Sequence, residues 1–411
     1  MGTKSSAVVA AGLLALTGST GILADEVLSP QVQAQAPRID PKPLSANVQR
    51  GLAYLAERQL PGGGWGQGDE SANIRSGEGN GANVADTCMA ALALLRAGSI
   101  PTAGAHAQNL CRAVSYVCSE VEAADRDSLF VTSVRGTRVQ GKIGNAIDTF
   151  LAANLLAEVR NRMADDAANA RVTAALDKVL DKIERNQRAD GTWEGEGWAP
   201  VLSQGMAARA VNRAAQSGAE VPASVRARTE ANARGAFDEA SGRFAGGPGD
   251  AGVGLYGSSA SLGAMQESEN TNRKREDDLR ARLAEAPSAE QAEIQGELGR
   301  IEGNRRELRQ ARASMVEQLK DERFVQGFGS NGGEEFLSYV QIGESLLAAG
   351  GEEWRAWDAS MTANLERVQN EDGSWTGHHC ITGRTFCTST ALLVLMVDRT
   401  TEPLSDAVRR R

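Results

Sequence analysis

Asp86, Asp148, Glu194 and Glu196 are the carboxylates whose surroundings in the chain suggest work beyond solvation, and His378-His379-Cys380 is the one cluster of imidazole and thiol. Two carboxyls that a fold brings together can run acid–base catalysis, one giving a proton to a leaving oxygen and the other acting as base or nucleophile. Each candidate also has a plainer use. Asp86-Thr87 and Asp148-Thr149 open apolar runs and read as helix-starting residues whose oxygens take up free N–H groups. Glu194 and Glu196 alternate with Gly195 and Gly197, where they can simply solvate a loop. With only three histidines (His106, His378, His379), a lone doublet falls far short of a C-x-x-C pair as a metal signal.

The thiols bear on the compartment. Lys4, an apolar run from Ala7 to Leu16 and a small-residue exit ending at Ala24 have the order of a secretory signal, so residues 1–24 predict export to the periplasm or medium. No other stretch could span a bilayer, so no stable membrane span is expected once the signal is cut. Residues 25–44 read as a linker and 400–411 as a tail. Of the five cysteines, Cys380 and Cys387 flank a short loop and can pair, whereas Cys111 and Cys118 lie two helical turns apart and cannot pair within an intact helix.

The elements that must position these residues are announced by a repeat. Gln59, Gly63 and Trp65, then Gln187, Gly191 and Trp193, then Gln369, Gly373 and Trp375 make three copies of Q-x-x-x-G-x-W. Each follows an amphipathic helical pattern and precedes an apolar, small-residue-rich one. The glycine permits a backbone reversal, the tryptophan plugs the gap between helix pairs, and the glutamine bonds free backbone groups at a helix end. These nine residues are therefore structural. Reading on with that template predicts outer helices near 45–58, 104–122, 167–187, 222–236, 300–322 and 352–369. The alternating inner helices begin near 88, 150, 201, 254, 334 and 389, making six pairs. Residues 264–322 depart from the pattern, with 11 basic and 14 acidic residues and a sparse seam of Ile294, Leu298, Ile301, Leu308, Met315 and Leu319. That spacing predicts an antiparallel, coiled-coil-like helical hairpin, a solvated protrusion or a docking place for a protein partner. It divides the repeat region into 45–263 and 323–399.

The repeat resembles the Q-W motifs of the squalene-hopene cyclase and protein prenyltransferase superfamily. It is especially similar to exported bacterial proteins containing prenyltransferase and squalene oxidase repeats. The resemblance implies an all-α fold, an α/α toroid of six helix pairs with the hairpin inserted. It also implies an internal cavity able to take an apolar small molecule. The D-x-D-D run of the protonating cyclases is absent, as is the D-D-x-x-D of those that ionise a diphosphate, so cyclisation is not expected. The prenyltransferase branch holds zinc through Asp, Cys and a distant His, which would map here onto Asp86, Cys88, His378 and Cys380, although the order of the repeats differs. In a toroid the motif loops empty onto one end, adding Trp198 and Tyr256 to Asp148, Glu194 and Glu196 as residues of the mouth, with Lys142 as an ion-pair partner for Asp148 and His379 of the doublet as a further catalytic candidate. Sugar-cleaving toroids join paired carboxylates to aromatic platforms in this way. The implied role is a non-cyclising binding or interaction module, with a carbohydrate-active hydrolase or lyase, or a metal-dependent transferase, as the alternative.

Composition agrees with a helical, folded chain. The 411 residues are 41% hydrophobic but only 4% aromatic, which disfavours sandwiches and barrels. A net charge of −9 offers nucleic acid no attraction.

Overall fold

The computed structural model describes residues 40–69, 81–247 and 249–400. The signal at 1–24, most of the linker and all but the first residue of the tail lie outside the described residues.

The chain is all-α. Helices α1 (Ala46–Glu57), α3 (Ala107–Ala123), α6 (Asp166–Arg185), α8 (Ala223–Gly235), α10 (Ser288–Gln318) and α13 (Gly351–Arg367) each bury one side. In α6 the buried stripe runs Val172, Ala175, Leu176, Val179, Leu180, Ile183, the spacing of a single face laid on a core. Helices α2 (Val84–Arg96), α5 (Ile147–Val159), α7 (Val201–Gln216), α9 (Gly254–Leu283), α12 (Gly333–Ala349) and α14 (Arg384–Leu395) are different. Every residue of α5 except Glu158 is buried, as is every residue of α14 from Thr385 onward. Such helices can only be interior.

These six pack in a closed order: α2 on α5, α5 on α7, α7 on α9, α9 on α12, α12 on α14, and α14 back on α2. Two short helices, α4 (Arg138–Ile143) and α11 (Glu322–Gln326), lie in connectors, with a small antiparallel pair, β1 (Phe237–Asp238) and β2 (Arg243–Phe244).

The three Q-W copies have one geometry. The indole N–H groups of Trp65, Trp193 and Trp375 donate to Leu55, Ile183 and Leu365 at 2.7, 2.7 and 2.8 Å, tying each ring to the last turn of the preceding outer helix. The side-chain amides of Gln59, Gln187 and Gln369 donate to the carbonyls of Gly63, Gly191 and Gly373, and also to Asn109, Val225 and Asn47 at the start of the next outer helix. The last of these bonds joins the last of these outer helices, α13, to the first, α1. Each motif glycine has φ between +85° and +92°. A Cβ there would meet the carbonyl oxygen of Arg112, Arg228 or Arg50 at 2.6, 2.2 or 2.8 Å. Glycine is required by both the backbone and the close approach.

Three expectations are corrected. Asp86 does not cap α2; Asn83 does, accepting from Asp86 N at 2.9 Å, because the helix begins two residues before the Asp. Asp148 caps a neighbour instead of its own helix, accepting from Ala85 N at 3.0 Å. Cys380 and Cys387 are not bridged, and all five cysteines are free. The loop places Cys380 outside α14, while Cys387 lies within it with its thiol donating to Ile381 O at 3.3 Å.

The hairpin is present as the continuous helix α9 and its return α10, but its base is not a free protrusion. Glu230 of α8 accepts from Asn272 at 2.7 Å and from Asn304 at 2.5 Å and pairs with Arg300 at 3.1 Å. Beyond that base, Leu279, Ile294 and Ile301 form a small core of their own. The sparse apolar seam explains the mixture, since polar groups must fill the layers that the seam leaves empty.

Candidate functional site at the mouth of the helix ring

The first turns of α9 and α12 meet, which brings together side chains one or two residues past each helix start. Glu334 and Glu335 open α12 and are fully buried. Tyr256, in the first turn of α9, donates its hydroxyl to Glu335 Oε1 at 2.5 Å, and the Phe328 backbone N–H adds a second bond at 3.0 Å. The other oxygen, Oε2, has no hydrogen-bond partner among the described residues and faces His379 Nε2 at 3.5 Å. That contact is within ion-pair range but is not aligned as a hydrogen bond, and both ring nitrogens of His379 are buried without one. Glu334 accepts from Ile381 N at 3.2 Å through Oε2, while its Oε1 is also unpartnered.

The electrostatics divide the roles. Burial, then the Glu335 charge beside it, pushes the Glu334 carboxyl up to about 8, so it carries its proton at neutral pH. Burial depresses the His379 imidazole, against the opposing pull of Glu335, so it stays neutral. The Tyr256 phenol is held far above its ordinary range by burial and by Glu335, and remains a donor. A protonated carboxyl, a neutral imidazole and the oriented Glu335 side chain thus stand side by side.

An aromatic wall adjoins them. The rings of Trp198 and Tyr256 meet edge-on at 5.9 Å, those of Trp198 and Phe328 at 5.1 Å, and those of Phe328 and His379 at 5.1 Å. Phe328 is 58% exposed, the one large apolar side chain so exposed among the described residues. It sits in the Gly327-to-Gly333 connector, where a Cβ on Gly329 would strike His379 at 2.5 Å and one on Gly332 would strike Glu335 at 2.6 Å. Glycines here let the backbone lie directly on the acid–base group. Cys380 has φ +51°, a left-handed backbone that a non-glycine residue adopts only under constraint.

Of the residues named from sequence, Tyr256, Trp198, His379 and Cys380 belong to this mouth, and Lys142 joins it with Nζ 5.7 Å from the Trp198 ring centroid. Asp86 and Asp148 form a buried pair further round. Asp86 Oδ2 accepts from Asn83 at 2.7 Å while Oδ1 is unpartnered, and burial, with Asp148 nearby, lifts its carboxyl to about 7. Asp148 is also raised by burial and is occupied by Ala85 N and Gln140, the latter at 2.8 Å. Glu194 and Glu196 are exposed on their loop, and His378 is exposed with only its backbone bonded, to Asn331 O at 2.7 Å.

The zinc set does not assemble. Among the described residues no group of three or more His, Cys, Asp and Glu is placed to hold a metal. Burial lifts the Cys88 thiol well above its ordinary value and Cys380 to about 11.

Glu334 and Glu335 escaped the sequence reading because two adjacent acids at a helix start look like macrodipole partners. Their burial was the missing fact. A usable signal was the flanking Gly332-Gly333 and the aromatic run that follows, which mark an inner helix where exposed acids have no place.

In the other half of these interior helices, buried charges pair between them. Glu344 of α12 pairs with Arg96 of α2 at 2.8 Å and with Arg209 of α7; Glu267 of α9 pairs with Arg213 at 2.9 Å, and Arg213 reaches Glu158 of α5 at 3.3 Å. The cleft left beside Arg209, Glu267, Gln341 and Glu344 has an interior of about 10 Å³, room for one water.

No protein-family model matches the chain, and no curated protein matches it. A solved structure described as the crystal structure of a protein from Actinoplanes is similar at 15% identity, covering 86% of this chain and 98% of that one with a TM-score of 0.46. Among the described residues no helix is long and apolar enough to cross a membrane.

Proposed function

We propose that the protein is an exported α/α toroid of the Q-W-repeat type whose working surface is the mouth, where it cleaves a carbohydrate by acid–base chemistry. The observation that carries this reading is the cluster of Glu335, held by Tyr256 and Phe328 N, with the unpartnered imidazole of His379 on one side and the protonated Glu334 on the other. A general acid and a general base of separated proton affinity, beside aromatic faces, is what bond cleavage in a sugar chain requires. The closed packing order of the inner helices and the three clamps between outer helices support the toroid. Export is supported by the composition of residues 1–24. A role in holding an apolar ligand at the centre has less support, because ion pairs from five inner helices fill that space. Squalene incubated with the protein is expected to return unchanged.

The test is a panel of glycans incubated with the purified chain, scored for new reducing ends and for binding. Glu335→Gln and His379→Ala are expected to lower turnover at least 100-fold with little change in melting temperature. If no glycan is bound or cut, the reading fails.

A further inference from the structure

The acid–base group lies under a strip of backbone that little else holds down. No residue from Val316 to Asn331 is buried, whereas every residue from Gly332 to Leu346 is. The boundary falls where the connector meets α12, and four of the seven residues from Gly327 to Gly333 are glycine. Both flanks are fixed. On one side Tyr339 donates its hydroxyl to Val325 O at 2.7 Å. On the other, Gly333 N donates to Ile381 O at 3.0 Å, and a Cβ on Gly333 would strike Ile381 and Phe386 at 2.6 and 2.7 Å.

Between these flanks the connector is tied to the mouth by Phe328 N on Glu335 Oε1 at 3.0 Å and by His378 N on Asn331 O at 2.7 Å. The Phe328 ring adds its edge-on contacts with Trp198 and His379. Because that ring is already 58% exposed, lifting it uncovers little further apolar surface. Ser330 stands at φ +72°, a left-handed backbone that serine seldom adopts.

Beneath the connector and within it, polar atoms lack partners. Both ring nitrogens of His379, Glu335 Oε2 and Asn331 Oδ1 are buried with no hydrogen bond. Each has given up water and received nothing in return. Raising the connector breaks the two bonds just named, which water can replace, and brings water to these four atoms as well. The exchange of hydrogen bonds therefore favours opening, while the ring contacts of Phe328 oppose it. Such a near balance lets a segment open without unfolding its neighbours.

Resting on the acid–base reading for the purpose it serves, we propose that residues 327–332 form a lid whose opening admits solutes to Glu335 and His379. Its hinges are Gly327, at φ +59°, and Gly332, and its latch is Phe328. Glycines also let the closed lid lie flat. A Cβ on Gly329 would reach His379 Cδ2 at 2.5 Å and Nε2 at 2.7 Å, and one on Gly332 would reach Glu335 Oε2 at 2.6 Å and His379 Cε1 at 2.9 Å. Gly329 lies outside the left-handed region, so a methyl group there props the lid without straining its backbone.

The test is carbethoxylation of the full chain by diethyl pyrocarbonate at neutral pH, with each histidine followed by fragmentation mass spectrometry. The reagent takes neutral imidazole, the form in which burial holds His379. In the wild type, exposed His378 should react fast and His379 more slowly, at a rate set by the open fraction. Phe328→Ala and Gly329→Ala should each speed the reaction at His379 by about 10-fold or more, with the rate at half-buried His106 and the melting temperature unchanged. Reaction of wild-type His379 as fast as His378, or at one rate in all three proteins, overturns the lid. Acceleration that His106 shares also overturns it, since that is general loosening. The glycan panel is read separately: absence of binding and cleavage there sinks the acid–base reading and leaves the lid standing.

Discussion

At the scale of single residues, what distinguishes this protein is a carboxyl buried where it cannot easily ionise. Glu334 has a folded value of about 8 against an ordinary 4.5, so the folded state holds a proton that the unfolded state has released across that interval. The stability this proton supports is whole below pH 4.5, declines as pH rises toward 8, and is gone above it. The slope is at most about 1.4 kcal/mol per pH unit. Asp86, lifted to about 7, contributes in the same direction over a narrower range. Glu334→Gln, which cannot ionise, should therefore show a shallower fall in unfolding midpoint between pH 5 and 8, and parallel curves for the two proteins would count against the assignment. Turnover should follow a bell, rising through the depressed His379 value below pH 6.5 and falling near pH 8 as Glu334 ionises. Glu334→Gln should lose the alkaline limb together with most of the rate.

At the scale of elements, the connectors do more than the helices to set the arrangement. Three Q-W turns use one solution, in which a glycine in the left-handed region lies against a carbonyl of the next outer helix. Gly191→Ala would put a Cβ 2.2 Å from Arg228 O, whereas Gly136, with φ +75°, has nothing within 4 Å of its Cβ position. Gly136→Ala should cost only the backbone penalty of about 1–2 kcal/mol, and Gly191→Ala distinctly more. Denaturant midpoints of both variants measure the difference, and equal losses would mean that the close approach is soft. Gln369→Ala removes the bond from the last outer helix to the first and should destabilise by about 1 kcal/mol, with hydrogen exchange rising in α1 and α13 first. The motif residues were legible because the same contact recurs three times. The arginines that complete it, Arg50, Arg112 and Arg228, were not, because they come from the next helix and share no fixed offset with the motif.

At the scale of the molecule, charged side chains of five of the six interior helices pair with one another, whereas the resemblance implied an apolar cavity. Glu344 accepts from arginines of α2 and α7, and their charges hold its carboxyl far below the ordinary range despite full burial. Removing one partner from such a network strands the other charges, so Glu344→Ala should cost about 3–5 kcal/mol, read as a fall in denaturant midpoint. A loss below about 1 kcal/mol would show that water already reaches the centre. The composition, the repeat and the amphipathic stripes determined by themselves that this chain is all-α and where its twelve main helices run, because helix formation and one-sided burial are local and periodic. They also determined the function of the motif residues, since a turn is built from neighbours in the chain. Which acids are buried, that Asp148 caps a helix not its own, that the cysteines stay apart, and that Glu335, Tyr256 and His379 meet were decided only by tertiary structure. Those properties depend on distances between residues as many as 123 positions apart, read directly from Tyr256 and His379, and on the loss of water around them. No pattern of residues along a chain encodes either quantity.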